Sequence, residues 1–325
     1  MTISVATRTG ILICDTDNTR WQVVRRGLEG QHVTSVIARE GVILAGTDDG
    51  IFCSGDLGKS WFEASQGLHQ RHVRWMSYHP DISDFELAGT EPAAVFVSRN
   101  GGENWQGCLE VEALRDQHDW FLPYSPEAGC VRGFAHHGDR VYGAVEVGGL
   151  LRSENGGEQW RLVGGSSGNP AMGQPASGRL HADVHSVYVH PHSKDDVLAA
   201  TGGGLFRSQN GGESWAHLYR CYCRAAWWDP ADPDHIVFGP AHSVDRGGRI
   251  EESHDGGQSW EVIGDGLDAP WPRHMVERLT PVQDGVAAVL SNGELRLALP
   301  DEWQWETPLP EVQNVDAVTQ MGEAA

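Results

Sequence analysis

The sequence has no continuous apolar run of about 18 residues, the length that a membrane-spanning helix requires. Its first residues show no basic stretch followed by an apolar core and a cleavage site. Positive charge is scarce, because 24 Lys and Arg residues stand against 45 Asp and Glu residues, a formal charge of −21. Since an acidic chain is repelled by polyanions, we expect neither nucleic acid nor a membrane as the main partner. We expect a cytoplasmic protein.

The cysteines also lack the spacing of a disulfide framework. Six are present, and only Cys221 and Cys223 lie close together in sequence. In a long chain without an export signal, free thiols in a reducing compartment are the simplest interpretation. Cys221 and Cys223 share a strand face, where buried thiols are favoured over a metal pair.

Glycine and tryptophan, in contrast, are abundant, with 41 and 13 residues. One motif, Ser-x-(Asp/Asn)-x-Gly-x-x-Trp, occurs five times. Its copies are residues 54–61, 98–105, 153–160, 208–215 and 253–260. A repeat at intervals of about 50 residues is typical of a solenoid, a propeller or an array.

Each copy of this motif lies between two short apolar segments, which favours a tight turn between strands. Asp or Asn followed by Gly supplies positive φ at such a turn. The Ser hydroxyl and the Asp or Asn side chain can bond nearby backbone groups, and the Trp can pack between sheets. We interpret the motif as a folding element rather than a metal site.

The motif resembles the Asp-box of the BNR-repeat family, whose members include sialidases, xyloglucan-cleaving glycosidases, sorting receptors and a photosystem assembly factor. The resemblance covers nearly the whole chain and implies a β-propeller. It implies little about function, because functional sites are grafted onto such folds.

The repeat unit predicts an all-β fold in which each unit supplies strands A to D, with the motif between C and D. Six units begin near His32, His72, Val131, Val184, Tyr222 and His274. The last unit has a worn motif at 299–305. Residues 2–25, with a worn motif at 14–21, supply strands B to D of one more blade, and residues 312–321 supply its strand A. We therefore predict a single domain, 1–325, that is a seven-bladed β-propeller of four-stranded antiparallel blades, closed by the C-terminal strand.

The longest irregular segments predict where a site lies. Residues 105–130 and 160–183 connect strand D to strand A, and residues 240–249 connect strand B to strand C. Because strands alternate in direction, all three segments lie at the same end of the central channel. Long loops on a rigid scaffold usually carry function.

Strand A is predicted to be innermost, so its first residues line the mouth of the channel at that end. One layer contains His32, His72, Cys130, Asp183, Tyr222, His274 or Arg273, and Asn314. A second layer, two residues farther on, contains Thr34, Arg74, Arg132, His185, Arg224 and Asp316.

These layers suggest three kinds of chemistry. Arg74, Arg132 and Arg224 come from three blades, and guanidinium groups suit a carboxylate, sulfate or phosphate. His185, Asp183 and Tyr222 are the catalytic candidates, with His185 as base and Asp183 as its orienter. A set of histidines, His32, His72 and His274, is the candidate site for a divalent metal. Alternatively, polar side chains merely line a wet channel, and the arginines pair with acidic or carbonyl groups.

Further ligand-binding candidates lie at the same end of the predicted channel. They are Trp120, Tyr124, Glu146, His181 and His242.

Two functions from different classes follow. In the first, the protein binds a small anionic molecule at the mouth and transforms it, as a hydrolase or lyase. In the second, it is a non-catalytic scaffold or assembly factor that binds a protein partner on the same face. A deep pocket favours the first, and exposed aromatic and apolar clusters favour the second. Arginines that pair internally would count against an anion site.

A sialidase is a third, lesser alternative. Sialidases of the resembled family use an arginine triad and a Tyr-Glu pair, to which Arg74, Arg132 and Arg224, and then Tyr222 and Glu277, are similar in type. The Phe/Tyr-Arg-Ile-Pro motif of those enzymes is absent from this sequence.

Overall fold

The computed structural model describes residues 1–16, 20–169, 173–283, 285–299 and 303–322, and these form seven antiparallel sheets. The first sheet contains β1 (Thr2–Thr7), β2 (Gly10–Thr16) and β3 (Trp21–Gly27), and the second contains β4 (Val33–Arg39), β5 (Val42–Thr47), β6 (Gly50–Ser54) and β7 (Phe62–Glu63). The third contains β8 (His72–Tyr78), β9 (Glu86–Glu91), β10 (Val95–Ser98) and β11 (Gln106–Gly107), and the fourth contains β12 (Cys130–His137), β13 (Arg140–Glu146), β14 (Gly149–Ser153) and β15 (Arg161–Leu162). The fifth contains β16 (Val184–His190), β17 (Ser193–Thr201), β18 (Gly204–Ser208) and β19 (Ala216–Tyr219), and the sixth contains β20 (Tyr222–Trp228), β21 (Ile236–Ala241), β22 (Glu251–Ser253) and β23 (Glu261–Val262). The seventh contains β24 (Val276–Val282), β25 (Gly285–Leu290) and β26 (Leu295–Ala298), and β27 (Val315–Gln320) returns to the first.

The sheets are the blades of a closed ring. Each inner strand contacts the inner strand of the next blade, and β27 pairs antiparallel with β1 while contacting both β4 and β24. The predicted seven-bladed propeller, closed by a C-terminal strand, is thereby confirmed.

In the described part of blade 7, a single bridge between Leu297 and Glu306 takes the place of the fourth strand. The worn motifs at 14–21 and 299–305 include residues 17–19 and 300–302, and the 160–183 segment includes 170–172, which lie outside the described residues.

Apolar side chains fill the spaces between neighbouring sheets. Strand β5, for example, buries Ile43, Leu44 and Ala45 completely, each at 0% exposure. Leu44 packs in a cluster with Val73 and Met76 of the next inner strand. Since strand B of each blade is covered on both faces, it appears in the sequence as a continuous apolar run.

The five repeated motifs make the local hydrogen bonds that their composition predicts. In every copy the Ser hydroxyl accepts a hydrogen bond from the backbone N–H of the glycine four residues later, at 2.8–2.9 Å. The Asp or Asn Oδ1 accepts the backbone N–H four residues on, as in Asn210 with Ser214 at 2.9 Å. Trp105, Trp160 and Trp215 are buried and donate their indole N–H to backbone carbonyls. The motif thus closes the turn and anchors it in the core.

We expect Ser208→Ala to lower the free energy of unfolding by about 1–3 kcal/mol, because the Gly212 N–H loses its acceptor in a buried site. Chemical denaturation measures this value. The exposed Ser214 of the same motif is the matched control, and Ser214→Ala is expected to change stability by less than about 0.5 kcal/mol. Equal losses in the two variants would contradict the structural role of the first serine.

The segment predicted as a loop at 105–130 contains a helix, α1 (Leu109–Gln117). Val111 is fully buried in the core between blades 3 and 4, and Leu114 packs against the same cluster. Acidic Glu110 and Glu112 lie in the first turn and Arg115 in the last, which suits the helix dipole. In the described ranges, no helix has the length and apolar character needed to cross a bilayer.

Candidate functional site

A β-bulge near the start of every inner strand sets the side chains of the channel. At each bulge the strand holds one residue more than its partner, which re-aims the bulged side chain. The bulges fall at Thr34, Arg74, Arg132, His185, Arg224 with Ala225, Glu277, and Asp316. These positions reproduce the predicted second layer and add a member from blade 7.

Blade 7 differs from the sequence prediction. Its bulge places Glu277 in the ring, and the buried Met275 takes the first-layer position assigned to His274 or Arg273. His274 instead stacks on the Trp271 ring, with centroids 5.0 Å apart. The register of this blade was ambiguous in the sequence because its motif is worn.

The loop-rich end of the channel opens into a cavity of about 570 Å³. Its lining includes the bulged side chains of six blades together with Arg8, His32, Asp48, His72, Asp245 and Arg278. A second cavity of about 460 Å³ is lined by residues farther along the inner strands. Four side chains, Arg132, Arg224, Glu277 and Arg278, line both cavities and so form the partition between them.

Glu277 is the centre of this partition. Its Oε1 accepts a hydrogen bond from Arg132 Nη2 at 2.5 Å, and its Oε2 accepts one from Arg224 Nη1 at 2.6 Å. Arg132 also donates to Glu146 Oε2 at 2.8 Å. Burial alone would raise the pKa of Glu277, but Arg224 and Arg132 outweigh it and hold this pKa well below its usual range. Burial also acts to raise the pKa of Glu146, but the positive charge of Arg132 outweighs burial and lowers this pKa to about 2.

Arg74, the remaining predicted arginine, is also paired, since it donates to Glu91 Oε2 at 2.6 Å. All three arginines therefore bond carboxylates of the protein itself. This result counts against a site in which the three hold one anion together.

Arg278 is the cation that sequence reasoning missed. Its Nε donates to the Asp316 carbonyl at 2.8 Å, and its guanidinium lies over the Trp75 ring at 4.2 Å. Among the described residues, no carboxylate oxygen lies within 4.0 Å of its guanidinium nitrogens, the distance that defines an ion pair. Burial, together with the nearby Arg132 and Arg74, lowers its pKa to about 10. Arg278 thus stands out among the arginines of the partition, because it makes no direct ion pair with a described residue.

The three catalytic candidates do come together, in the channel wall. His185 Nε2 lies 3.1 Å from Asp183 Oδ1 and 3.3 Å from the Tyr222 hydroxyl, and His185 Nδ1 donates to the Cys223 carbonyl at 2.9 Å. Burial raises the pKa of Tyr222 to about 12. Neither cavity lining includes Asp183 or Tyr222, and His185 lines only the second cavity. Arg224 donates to Tyr222 and to Glu277, so it lies between the two residues that are similar to a sialidase pair.

The predicted metal-binding histidines are not brought together. His32 Nε2 contacts Asp316 Oδ2 at 2.9 Å, and His72 Nδ1 lies 3.9 Å from Glu91 Oε2. Burial and Arg74 lower the pKa of His72. Both rings line the mouth cavity, whereas His274 does not. No group of metal-ligand atoms in the described part of the chain contains all three histidines.

The other predicted ligand-binding residues have separate positions. Trp120 is buried and donates its indole N–H to the Gly168 carbonyl at 2.8 Å, so it ties two loops together. His181 is buried, and its Nδ1 accepts the Asp183 N–H. Tyr124 and His242 are exposed on their loops.

Comparison with known proteins supports the fold. No family model matches the chain, and no curated protein matches it significantly. Among solved structures, an ancestral GH74 enzyme is 16% identical with a TM-score of 0.62, over 92% of this chain and 39% of that chain. The chain thus spans well under half of that enzyme.

Two YCF48 propellers are closer to this chain in length. YCF48 from Cyanidioschyzon merolae is 16% identical with a TM-score of 0.62, over 91% of this chain and 90% of that chain. A YCF48 bound to a D1 peptide is 14% identical with a TM-score of 0.59, over 87% of this chain and 83% of that chain. At these identities the likeness shows the fold alone, and a GH74 enzyme and YCF48 share it.

Proposed function

We propose that the protein is a binding propeller whose channel mouth takes up one carboxylate group of a small anionic molecule. The observation that carries this proposal is that Arg278, at the bottom of a cavity of about 570 Å³, makes no ion pair with any residue that the structure describes. A buried cation without a counterion is costly, and a ligand anion would offset that cost. The other arginines hold their own carboxylates and shape the cavity around this position.

The proposal is one of binding rather than turnover. An acid or base must reach the proton that it transfers. Asp183 and Tyr222 are outside both cavity linings, and the Nδ1 of His185 is committed to a backbone carbonyl.

We expect Arg278→Met to weaken binding of succinate by at least about tenfold, because a hydrogen bond to a charged group contributes about 1.5–3 kcal/mol. Calorimetric titration at low ionic strength measures the affinity, and crystals soaked in succinate locate the ligand. Arg71→Met is the matched control, since Arg71 is exposed outside the channel and pairs with Asp49 and Glu63. Equal affinity in both variants, or density away from Arg278, would refute the proposal.

A protein partner on the same end of the ring is the second candidate. The segment 108–129 beside the mouth exposes Leu109 at 71%, Phe121 at 43% and Tyr124 at 59%. Clustered exposed apolar side chains often mark a binding surface, and aromatic residues dominate interface energetics. The YCF48 of similar length that is bound to a D1 peptide supports the same idea.

The double variant Phe121→Ser with Tyr124→Ser tests this second candidate. A purified partner should bind the unmodified protein at least about tenfold more tightly than the double variant, because hot-spot aromatics each contribute about 2 kcal/mol. Phe62→Ser, at an exposed residue on another blade, should leave that affinity unchanged. If the double variant retained full affinity, the segment 108–129 would not be the docking surface.

A further inference from the structure

All but one of the described acidic residues that line the mouth cavity lie within 4.0 Å of a basic side chain. Glu277 holds two arginines, as described above. Asp316 Oδ2 lies 2.9 Å from His32 Nε2 and 3.8 Å from Arg8 Nε, and Asp48 Oδ2 lies 4.0 Å from His32 Nδ1. Acidic side chains at this end of the channel thus have partners within the protein, with a single exception.

The exception is Asp245, which is only partly exposed and lines the mouth cavity. Its carboxylate makes no hydrogen bond or ion pair with a described residue, and its Oδ1 is buried. Burial lowers the pKa of the nearby His274, so this ring is neutral near pH 7 and does not supply the missing positive charge. Because a buried polar atom without a partner is costly, the carboxylate of Asp245 requires a counterpart from outside the protein.

The loop between β21 and β22 holds Asp245 in a defined position. This residue has a φ of 53°, in the left-handed region that aspartate tolerates. The turn that contains it is closed by a hydrogen bond from the His242 N–H to the Arg246 carbonyl at 2.9 Å. The Gly247 N–H donates to the Trp271 carbonyl at 2.8 Å, which fastens the loop to the segment before β24. A side chain that is positioned in advance loses little freedom when a ligand binds.

We propose that the mouth cavity binds a small amino carboxylic acid, whose carboxylate contacts Arg278 and whose ammonium contacts Asp245. This inference rests on the carboxylate site proposed above and refines its ligand from a simple anion to a zwitterion. Arg278 and Asp245 line the same cavity of about 570 Å³ but make no ion pair with each other, so their charged atoms lie more than 4.0 Å apart. A ligand that carries both charges can bridge them, because the accessible Oδ2 of Asp245 accepts from an ammonium and the guanidinium donates to a carboxylate.

The proposal is tested by calorimetric titration with β-alanine and with butyrate, which carries a methyl group in place of the ammonium. We expect β-alanine to bind at least about tenfold more tightly, because a hydrogen bond between charged groups strengthens affinity by about that factor or more. Asp245→Asn should abolish this preference while the affinity for butyrate is unchanged. Asparagine tolerates a positive φ, so the loop keeps its conformation. Glycine and γ-aminobutyrate, each measured against its own alkyl analogue, test shorter and longer separations of the two charges.

Asp268→Asn is the matched control, because Asp268 is exposed on the loop before β24 and lies outside the cavity lining. This variant also loses one negative charge, and it should prefer β-alanine as the unmodified protein does. The proposal is wrong if no amino acid of the series binds better than its alkyl analogue, or if the preference survives Asp245→Asn.

The variants also separate the two proposals for the mouth cavity. If Arg278→Met weakens the binding of succinate and butyrate but Asp245→Asn leaves the binding of β-alanine unchanged, only the ammonium site is refuted. If Arg278→Met changes none of these affinities, the carboxylate site is refuted and the amino-acid site with it.

Discussion

Glu277→Gln is expected to lower the free energy of unfolding by about 3–5 kcal/mol, the largest effect of any single substitution in the channel. Glu277 is the shared partner of Arg132 and Arg224, and an amide can accept from one of them only. Arg132 retains Glu146, but Arg224 is left as an uncompensated, largely buried cation. Equilibrium denaturation in urea at low ionic strength measures the loss.

The control for this variant is Glu63→Gln, which removes the charge of an exposed partner of Arg71 and is expected to cost less than about 1 kcal/mol. Because the channel variant carries one negative charge fewer, sulfate should stabilise it more than it stabilises the unmodified protein. A loss no larger than that of the control would show that the partition does not depend on this carboxylate.

Glu86→Gln is expected to remove a pH-dependent loss of stability that reaches about 3 kcal/mol near pH 8. Glu86 begins β9 opposite Tyr78 and is completely buried. Burial raises the pKa of its carboxyl from 4.5 to about 7, although the Ser98 hydroxyl partly opposes this rise. Glutamine has nearly the same shape as glutamate, but its side-chain amide does not ionise.

The folded protein binds a proton at Glu86 more tightly than the unfolded chain does, and this difference makes stability depend on pH. Between pH 4.5 and pH 7 the unfolded chain ionises Glu86 while the folded chain keeps it protonated, so stability falls as pH rises through this range. The advantage of Glu86→Gln should therefore grow by about 2 kcal/mol from pH 5 to pH 8. Glu103→Gln, at an exposed carboxylate in the same blade, should show no such growth. A pH-independent difference between Glu86→Gln and the unmodified protein would contradict the raised pKa.

The helix α1 illustrates where a repeat pattern stops being informative. Residues 105–130 lie between two motifs and were predicted as a loop, because nothing in the repeat unit accounts for them. The spacing of Val111 and Leu114 by three residues is a helical signal, but it extends over nine residues only. The helix is stabilised by burying Val111 between blades 3 and 4. Short amphipathic segments need such a surface to form.

The sequence by itself determined the seven blades, their order and the closure by the last strand. The reason is that each blade is a local unit, whose turn chemistry and alternating apolar strands recur at a readable interval. It also placed His185, Asp183 and Tyr222 together and put three arginines in one layer.

Only the tertiary structure decided what those side chains touch. The bulge in β24 brings Glu277 to Arg132 and Arg224 across the channel, leaves Arg278 without a direct ion pair in the described part of the chain, and turns His274 away. At the far end, the seam between two blades joins Trp303 to Glu252, which also contacts His235. These contacts link residues far apart in sequence, and a one-residue change of strand register would remake all of them.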